Sequence, residues 1–162
     1  MINQIYFTSF VLGGGIKLII KKATFSDLDS LTVLFDLYRV FYEQASNQEE
    51  AREFLKARIL NDESAVFMAL DGNDPVGFVQ LYPSFSSVSM MRSWVLNDLY
   101  VKEQFRGRGA GEKLIHKAIE FAKETGAKGV LLETGEENLN AQRLYEKIGF
   151  EKETNYFYYF SI

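Results

Sequence analysis

The sequence predicts a mixed α/β fold of the α+β kind, with a central sheet of six to seven strands and about four helices. Three observations predict it. Apolar runs of strand length alternate with longer segments whose apolar residues recur at helical spacing. Two of the runs, Ala65 to Leu70 and Val76 to Tyr82, flank Asp71-Gly72-Asn73-Asp74-Pro75, a turn with strong punctuation that makes them a paired hairpin. Strand, glycine-rich loop, helix and strand then follow between Trp94 and Glu133, a βαβ unit whose two strands should run parallel.

The elements follow in order. Met1 to Gly15 carries Phe7, Phe10, Val11 and Leu12 and ends in Gly13-Gly14-Gly15. It has neither a basic leader region nor a small-residue cleavage site, so a secretory signal is not expected. Two readings stay open for residues 1–16: an extra strand or arm, or a start-site artefact. Gly-Gly can be the translation of a purine-rich ribosome-binding site, and Leu18 can be a TTG start. Residues 17–162 are expected to form a single domain. Lys17 to Lys22 reads as the first strand. Ser26 is the expected N-cap of the first helix, with Asp27 and Asp29 in its first turn. That helix carries Leu28, Leu31, Leu34, Phe35, Tyr38 and Tyr42 on its apolar stripe and runs to about Glu43. A second helix starts at Asn47, with Glu50 at the capping-box position and Ala51, Phe54, Leu55 and Ile59 facing inward.

After the hairpin, Pro83-Ser84-Phe85-Ser86-Ser87 is expected to end or interrupt its second strand. Trp94 to Val101 is the next strand and Glu112 to Thr125 the third helix. Leu114, Ile115, Ala118, Ile119 and Ala122 line that helix, and Gly126 is its C-terminal stop. Gly129 to Glu133 is a short strand. Asn138 opens the fourth helix and Gly149 closes it. Phe150 to Lys152 and Tyr156 to Phe160 are read as the last two strands.

Composition narrows the function. With 162 residues, 47% hydrophobic and 25% charged, the chain can bury a sizeable core. There is no cysteine, so thiolate metal sites and cysteine nucleophiles are excluded, and His116 is the single histidine. No metal site is expected, and His116 is read as a surface residue. The net charge of −4 argues against nucleic-acid binding and suits cationic partners such as amines. No apolar run reaches the length of a membrane span. The chain is accordingly read as cytoplasmic.

The chemistry starts at Val101-Lys102-Glu103-Gln104-Phe105-Arg106-Gly107-Arg108-Gly109-Ala110-Gly111. A strand, a glycine-rich turn and a helix start make an anion site: free N–H groups and the helix dipole both favour negative charge there. Gly107, Gly109 and Gly111 let a ligand approach the backbone, and Arg106 and Arg108 supply cationic donors suited to phosphate. Gly111 is followed by Glu112 and Lys113, which is not a P-loop, and the third glycine of a dinucleotide fingerprint would fall on Glu112. What remains is R-x-x-G-x-G at Arg106, Gly109 and Gly111.

That loop resembles the acyl-CoA diphosphate loop of the Gcn5-related N-acetyltransferase (GNAT) superfamily. A second stretch, Asn138 to Phe150, resembles the same superfamily's N-x-x-A-x-x-L-Y-x-x-x-G-F helix, matching at Asn138, Ala141, Leu144, Tyr145, Gly149 and Phe150. The resemblance covers roughly Lys17 to Ile162. It implies a GNAT fold whose central strands part in a V-shaped splay, and acetyl transfer from acetyl-CoA, as co-substrate, to a primary amine by direct attack in a ternary complex. It implies cofactor contacts at Leu99, Tyr100, Val101, Arg106, Gly107, Arg108, Gly109, Ala110, Gly111 and Asn138. Leu99 to Val101 would pair with the amide-bearing pantetheine arm as an added strand would.

Tyr145 matches the family's general acid for the leaving thiolate. The base has no fixed motif. Glu133, at the end of its strand, is the first candidate, in a setting expected to be apolar; Asp98, which interrupts an apolar strand, is the second. By position Tyr38, Arg39, Tyr42, Tyr82, Ser84 and Ser87 are acceptor-side candidates. A small amine or polyamine, or a protein lysine or N-terminal amine, could be the acceptor. A non-catalytic acyl-CoA-binding module is the alternative class, and homodimers are frequent among relatives. If residues 1–16 stand apart from the domain, a chain beginning at Lys17 keeps its melting temperature and its affinity for CoA. A loss of several degrees would show that the segment packs into the fold.

Overall fold

A computed structural model describes residues 18–162; the open question about residues 1–16 lies outside them. Five strands form one sheet in the order β1 (Leu18–Lys22), β2 (Ala65–Asp71), β3 (Asp74–Ser86), β4 (Met91–Val101) and β5 (Val130–Leu132). The first four are antiparallel neighbours, and β4 and β5 are parallel, as the βαβ reading requires. The helices are α1 (Leu28–Phe41), α2 (Gln48–Leu60), α3 (Ala110–Glu124) and α4 (Leu139–Ile148).

Helices cover both faces of the sheet, so β2 reads as an unbroken apolar run rather than an alternating one. Its odd residues, Ala65, Phe67 and Ala69, pack towards α3 with Leu114, Ile115 and Ala118. Its even residues, Val66 and Met68, pack towards α1 and α2 with Leu31, Phe35 and Leu55. Trp94 anchors the far end of α3: its Nε1 donates to Thr125 Oγ1 at 2.8 Å, and its ring lies 5.0 Å from that of Phe121.

Capping chemistry sets the helix ends. Asn47 Oδ1 accepts from the Glu50 N–H at 3.1 Å, and its Nδ2 donates to Glu50 Oε2, the expected box of α2. Asn138 Oδ1 accepts from the Ala141 N–H at 3.3 Å, and Gly149 closes α4 at φ 109°. The expected cap at Ser26 is corrected to Thr24. The Thr24 N–H donates to Asp27 Oδ2 at 3.0 Å, and a short 3-10 turn, Phe25–Asp27, leads into α1. The Asp nearer the strand wins because Lys21 also donates to it, at 2.5 Å.

Two more expectations need correction. Pro83 does not end β3, which runs on to Ser86. The β2 partner stops at Ala65 opposite Leu81, so from Tyr82 onward β3 has a neighbour on one side only among the described residues, and proline is tolerated there. The C-terminal strands are also absent: Phe150–Lys152 and Tyr156–Phe160 form no strand, and Tyr156 to Phe160 stand exposed. The described sheet therefore has five strands rather than six or seven. Aromatic content gave these segments strand propensity, but propensity without a packing face does not make a strand.

Two irregularities shape the centre of the sheet. Gln80 faces Asp98 while Leu81 faces Leu96, so Asn97 is an extra residue, a β-bulge in β4. The β4–β5 ladder covers only Trp94–Leu96 against Val130–Leu132 and stops just before the bulge. Beyond it β4 continues to Val101 with no partner on that side among the described residues. This is the splay. On its other side β4 is held tightly to β3 at Gly77, where a Cβ would lie 2.6 Å from the Tyr100 carbonyl oxygen. Gly77→Ala should therefore destabilise the fold by about 1–3 kcal/mol. That corresponds to roughly 2–4 °C of melting temperature per kcal/mol for a chain of this size. A melting temperature unchanged to within about 1 °C would show that the two strands part there without strain.

Candidate functional site

The glycine-rich half of the candidate site begins where β4 ends. A 3-10 turn, Glu103–Phe105, leads to the glycine loop, and Gly107 and Gly109 have φ of 71° and 83°. This left-handed backbone favours glycine, which fits both positions without strain. The turn delivers the chain into α3, where the N–H groups of Ala110, Gly111 and Glu112 have no acceptor within the helix. Gly111 faces Leu144, whose Cδ2 would stand 3.7 Å from an added Cβ. Lys147 Nζ reaches Glu112 Oε2 at 2.7 Å. That hydrogen bond holds the Glu112 carboxyl below its usual range against a small desolvation effect, and it ties α4 to the start of α3.

Arg106 does not simply extend towards solvent. Its Nε donates to the Val101 carbonyl at 3.0 Å, and its guanidinium lies 5.0 Å from the Phe41 ring centre and 5.9 Å from that of Tyr100. It is a strut between the loop, the end of β4 and the end of α1. Arg108 stays on the exposed loop, over Phe105. Asn138 is accounted for as the cap of α4. Leu99 and Val101 turn inward towards α3, and Tyr100 turns towards α1, so at this edge it is their backbone that can pair with a ligand.

Tyr145 sits on α4, half-buried, with its ring 5.8 Å from that of Phe150. Burial, and the nearby Tyr42 hydroxyl, push its phenol above the ordinary range. It therefore remains a donor at neutral pH. α4 carries it to the α3 side of the splay, among Leu144, Ile148 and Phe150.

The second half of the site is polar and buried. In an unbulged strand Asp98 would share a face with Trp94 and Leu96, towards α3. The extra residue Asn97 reverses the alternation and turns Asp98 and Tyr100 towards α1. Asp98 is 4% exposed. Gln80 Nε2 donates to its Oδ2 at 3.1 Å, and Asn97 Nδ2 donates to its Oδ1 at 3.0 Å. The Tyr38 hydroxyl also faces it. Burial raises the Asp98 carboxyl above its ordinary range, against the pull of the donors from Tyr38, Asn97 and Gln80. Tyr82 is bonded by the same Gln80 Nε2, and burial together with the Asp98 charge pushes its phenol up to about 12.

The structure thus brings together Asp98, Tyr38 and Tyr82, with Tyr42 beside Tyr38 at 5.0 Å between ring centres. It does not bring Ser84 to them. Ser84 pairs with Ser93, four positions further along β3 than Gln80, roughly 13 Å away. Ser87 is exposed in the following turn, and Arg39 donates to the Ala45 carbonyl beyond α1. Glu133 needs correction: the apolar setting expected for it is missing, because β5 ends at Leu132 and Glu133 stands exposed just past it. His116 is on the exposed side of α3, 4.0 Å from Glu112. Sequence reasoning missed Gln80 and the bulge residue Asn97. Gln80 had a signal: it is a lone polar residue in an apolar run, Val76 to Tyr82.

Comparison with known proteins agrees with this geometry. Residues 31–150 match the acetyltransferase (GNAT) family model. The chain is similar to the uncharacterized N-acetyltransferase YhfO of Bacillus subtilis, 44% identical over 140 residues that cover 86% of this chain and 94% of that one. It is also similar to a probable acetyltransferase of known crystal structure, with TM-score 0.83 and 40% identity, covering 89% of this chain and 99% of the other. An aminoglycoside N-acetyltransferase crystallised with CoA shares the fold at 18% identity and TM-score 0.78, covering 93% and 99% of the two chains. The chain belongs to the GNAT family and is an acetyltransferase. No helix in residues 18–162 is long and apolar enough to cross a membrane.

The raised Asp98 carboxyl makes a prediction about stability. The folded protein holds this proton over a window where the unfolded chain has already lost it. Folding stability should then fall as pH rises from the ordinary carboxylate range, about 3.9, through the higher folded value, and level off above it. Asp98→Asn removes that part of the slope. Urea denaturation from acid to neutral pH tests this, and an identical pH profile in the variant would show that Asp98 is not the group responsible.

Proposed function

We propose that this chain transfers an acetyl group from acetyl-CoA to a primary amine by direct attack in a ternary complex. The observation that carries this reading is that the splay lies between a glycine-rich helix start and a buried carboxylate. An opened β4 edge, Asn97 to Val101, joins the two. The N–H groups of Ala110, Gly111 and Glu112, with Arg108 and the glycine loop, suit a diphosphate. The free β4 edge suits the amides of a pantetheine arm, which would compete with Arg106 for the Val101 carbonyl. The same fold holds CoA in the aminoglycoside N-acetyltransferase, which is consistent with this assignment.

Bound acetyl-CoA supplies an activated acyl carbon as a thioester. The remaining tasks fall to side chains of this protein. Asp98 takes a proton from the acceptor ammonium, so that the neutral amine can attack; its raised carboxyl favours proton uptake. A backbone N–H near Val101 donates to the oxyanion. As the C–N bond forms and the C–S bond breaks, Tyr145 gives its phenolic proton to the sulfur, and the proton the nitrogen sheds on becoming an amide returns through water to the Tyr145 phenolate. Glu133, exposed beyond β5, is the alternative base and would act only through water. A small amine or polyamine fits the tyrosine-lined wall of Tyr38, Tyr42 and Tyr82 as the acceptor, and a protein amine is the alternative.

Turnover of acetyl-CoA with a panel of small amines, polyamines and peptides tests the reading directly. Tyr145→Phe removes one oxygen with little change in packing. It should lower kcat by roughly 10²- to 10³-fold, with acetyl-CoA affinity within a few-fold of the parent. A kcat near the parental value would make Tyr145 a packing residue and leave the thiolate to solvent.

A further inference from the structure

Arg106 belongs to the glycine loop, yet its side chain turns back to the end of β4. The backbone there explains what it meets. The Lys102 N–H donates to the Val76 carbonyl at 2.8 Å, towards β3. Backbone groups of successive residues point to opposite sides of an antiparallel strand. The N–H and C=O of Val101 therefore face the other side, where β4 has no partner among the described residues. Those of Leu99 face the same way. Arg106 Nε donates to this Val101 carbonyl at 3.0 Å. The N–H of an added strand would stand about 2.9 Å from the same oxygen on the same side. Nε thus holds the position that such a strand needs.

The guanidinium makes a second set of contacts. It lies 5.0 Å from the ring centre of Phe41, the last residue of α1, and 5.9 Å from that of Tyr100. Phe41 stands 5.3 Å from Tyr42 between ring centres, and Tyr42 stands 5.0 Å from Tyr38. The Val101 carbonyl, Arg106 and the end of α1 form one chain of contacts. Nε and the rest of the guanidinium share a rigid plane. A group that takes the place of Nε therefore also moves the cation off Phe41 and Tyr100.

We propose that Arg106 is a stopper on the open β4 edge and a positioning residue for α1: while the edge is empty it ties Val101 to the end of α1, and an amide-bearing arm that pairs with Val101 displaces it and releases that end. The proposal rests on the acetyl-transfer reading for the identity of the arm. An arginine placed this way opposes the arm of the cofactor instead of adding to the grip on its phosphates. Displacing it costs a hydrogen bond from a charged donor and two cation–ring contacts. The coupling is reciprocal, so whatever holds α1 against Arg106 weakens the arm by the same factor.

The test titrates the full-length chain with CoA and with ADP, which has the diphosphate but no arm. Arg106 is exposed, and Arg106→Leu removes its charge while keeping an apolar stem. The variant should bind CoA about fivefold more tightly than the parent, with ADP affinity unchanged. Hydrogen exchange at the Tyr42 amide, which donates to the Tyr38 and Arg39 carbonyls, reads the end of α1. CoA should speed that exchange about threefold in the parent. In Arg106→Leu the exchange should already be fast, and CoA should not change it. Phe41→Leu is the second variant: it removes the ring but leaves Nε on Val101, and its Tyr42 exchange should no longer respond to CoA. CoA and ADP affinities that fall together in Arg106→Leu would make Arg106 a phosphate ligand and overturn the proposal. So would an unchanged CoA affinity, or a parent in which CoA leaves Tyr42 exchange unchanged or slows it. A parent that binds no CoA sinks the acetyl-transfer reading and the stopper together, whereas CoA binding without these responses sinks the stopper alone.

Discussion

One extra residue in β4 governs the site. Asn97 has no counterpart on β3, and everything beyond it changes face. Before the bulge, Trp94 and Leu96 pack under α3; after it, Leu99 and Val101 do, while Asp98 and Tyr100 turn to α1. Bulges also bend a strand and sharpen its twist. The β4–β5 ladder ends one residue before Asn97, so the bulge and the parting of the strands coincide. A carboxylate enters the core and a strand edge opens at the same place.

The surrounding structure meets the cost of this arrangement. A buried carboxylate is tolerable only with donors around it, and Gln80, Asn97 and Tyr38 supply them. An opened strand edge leaves carbonyls without partners, and Arg106 covers one of them at Val101. The same arginine rests on Phe41 and Tyr100, so the glycine loop and α1 share a support. Lys147 and Glu112 close the other flank by joining α4 to α3. The glycine loop, the end of β4, α1 and α4 are thereby tied to one another by side-chain contacts.

The two carboxylates considered as bases show how far residue type alone can carry a prediction. Both sit in or beside apolar runs, and both look alike in sequence. Asp98 is buried among donors, whereas Glu133 falls one residue past the end of a three-residue strand and faces solvent. Strand length and neighbouring cover made the difference, and neither is a local property. Gln80 was overlooked for a related reason: a neutral amide in a strand has no motif, and its importance comes from the residue it faces across the ladder.

Local chemistry was legible in advance. The glycine loop with its left-handed turns, the caps at Asn47 and Asn138, the stop at Gly149, the hairpin around Gly72 and Asn73 and the parallel βαβ unit all follow from residues close together in the chain. These features depend on backbone freedom, short-range hydrogen bonds and hydrophobic period, which a sequence states directly. Only the tertiary structure decided where the alternation of β4 reverses, which carboxylate is buried, that Arg106 folds back onto the Val101 carbonyl, and that Phe150 to Phe160 form no strand. Each of these depends on cross-strand register and on what covers a face. Those are properties of residues far apart in the chain, and a shift of one position reverses them.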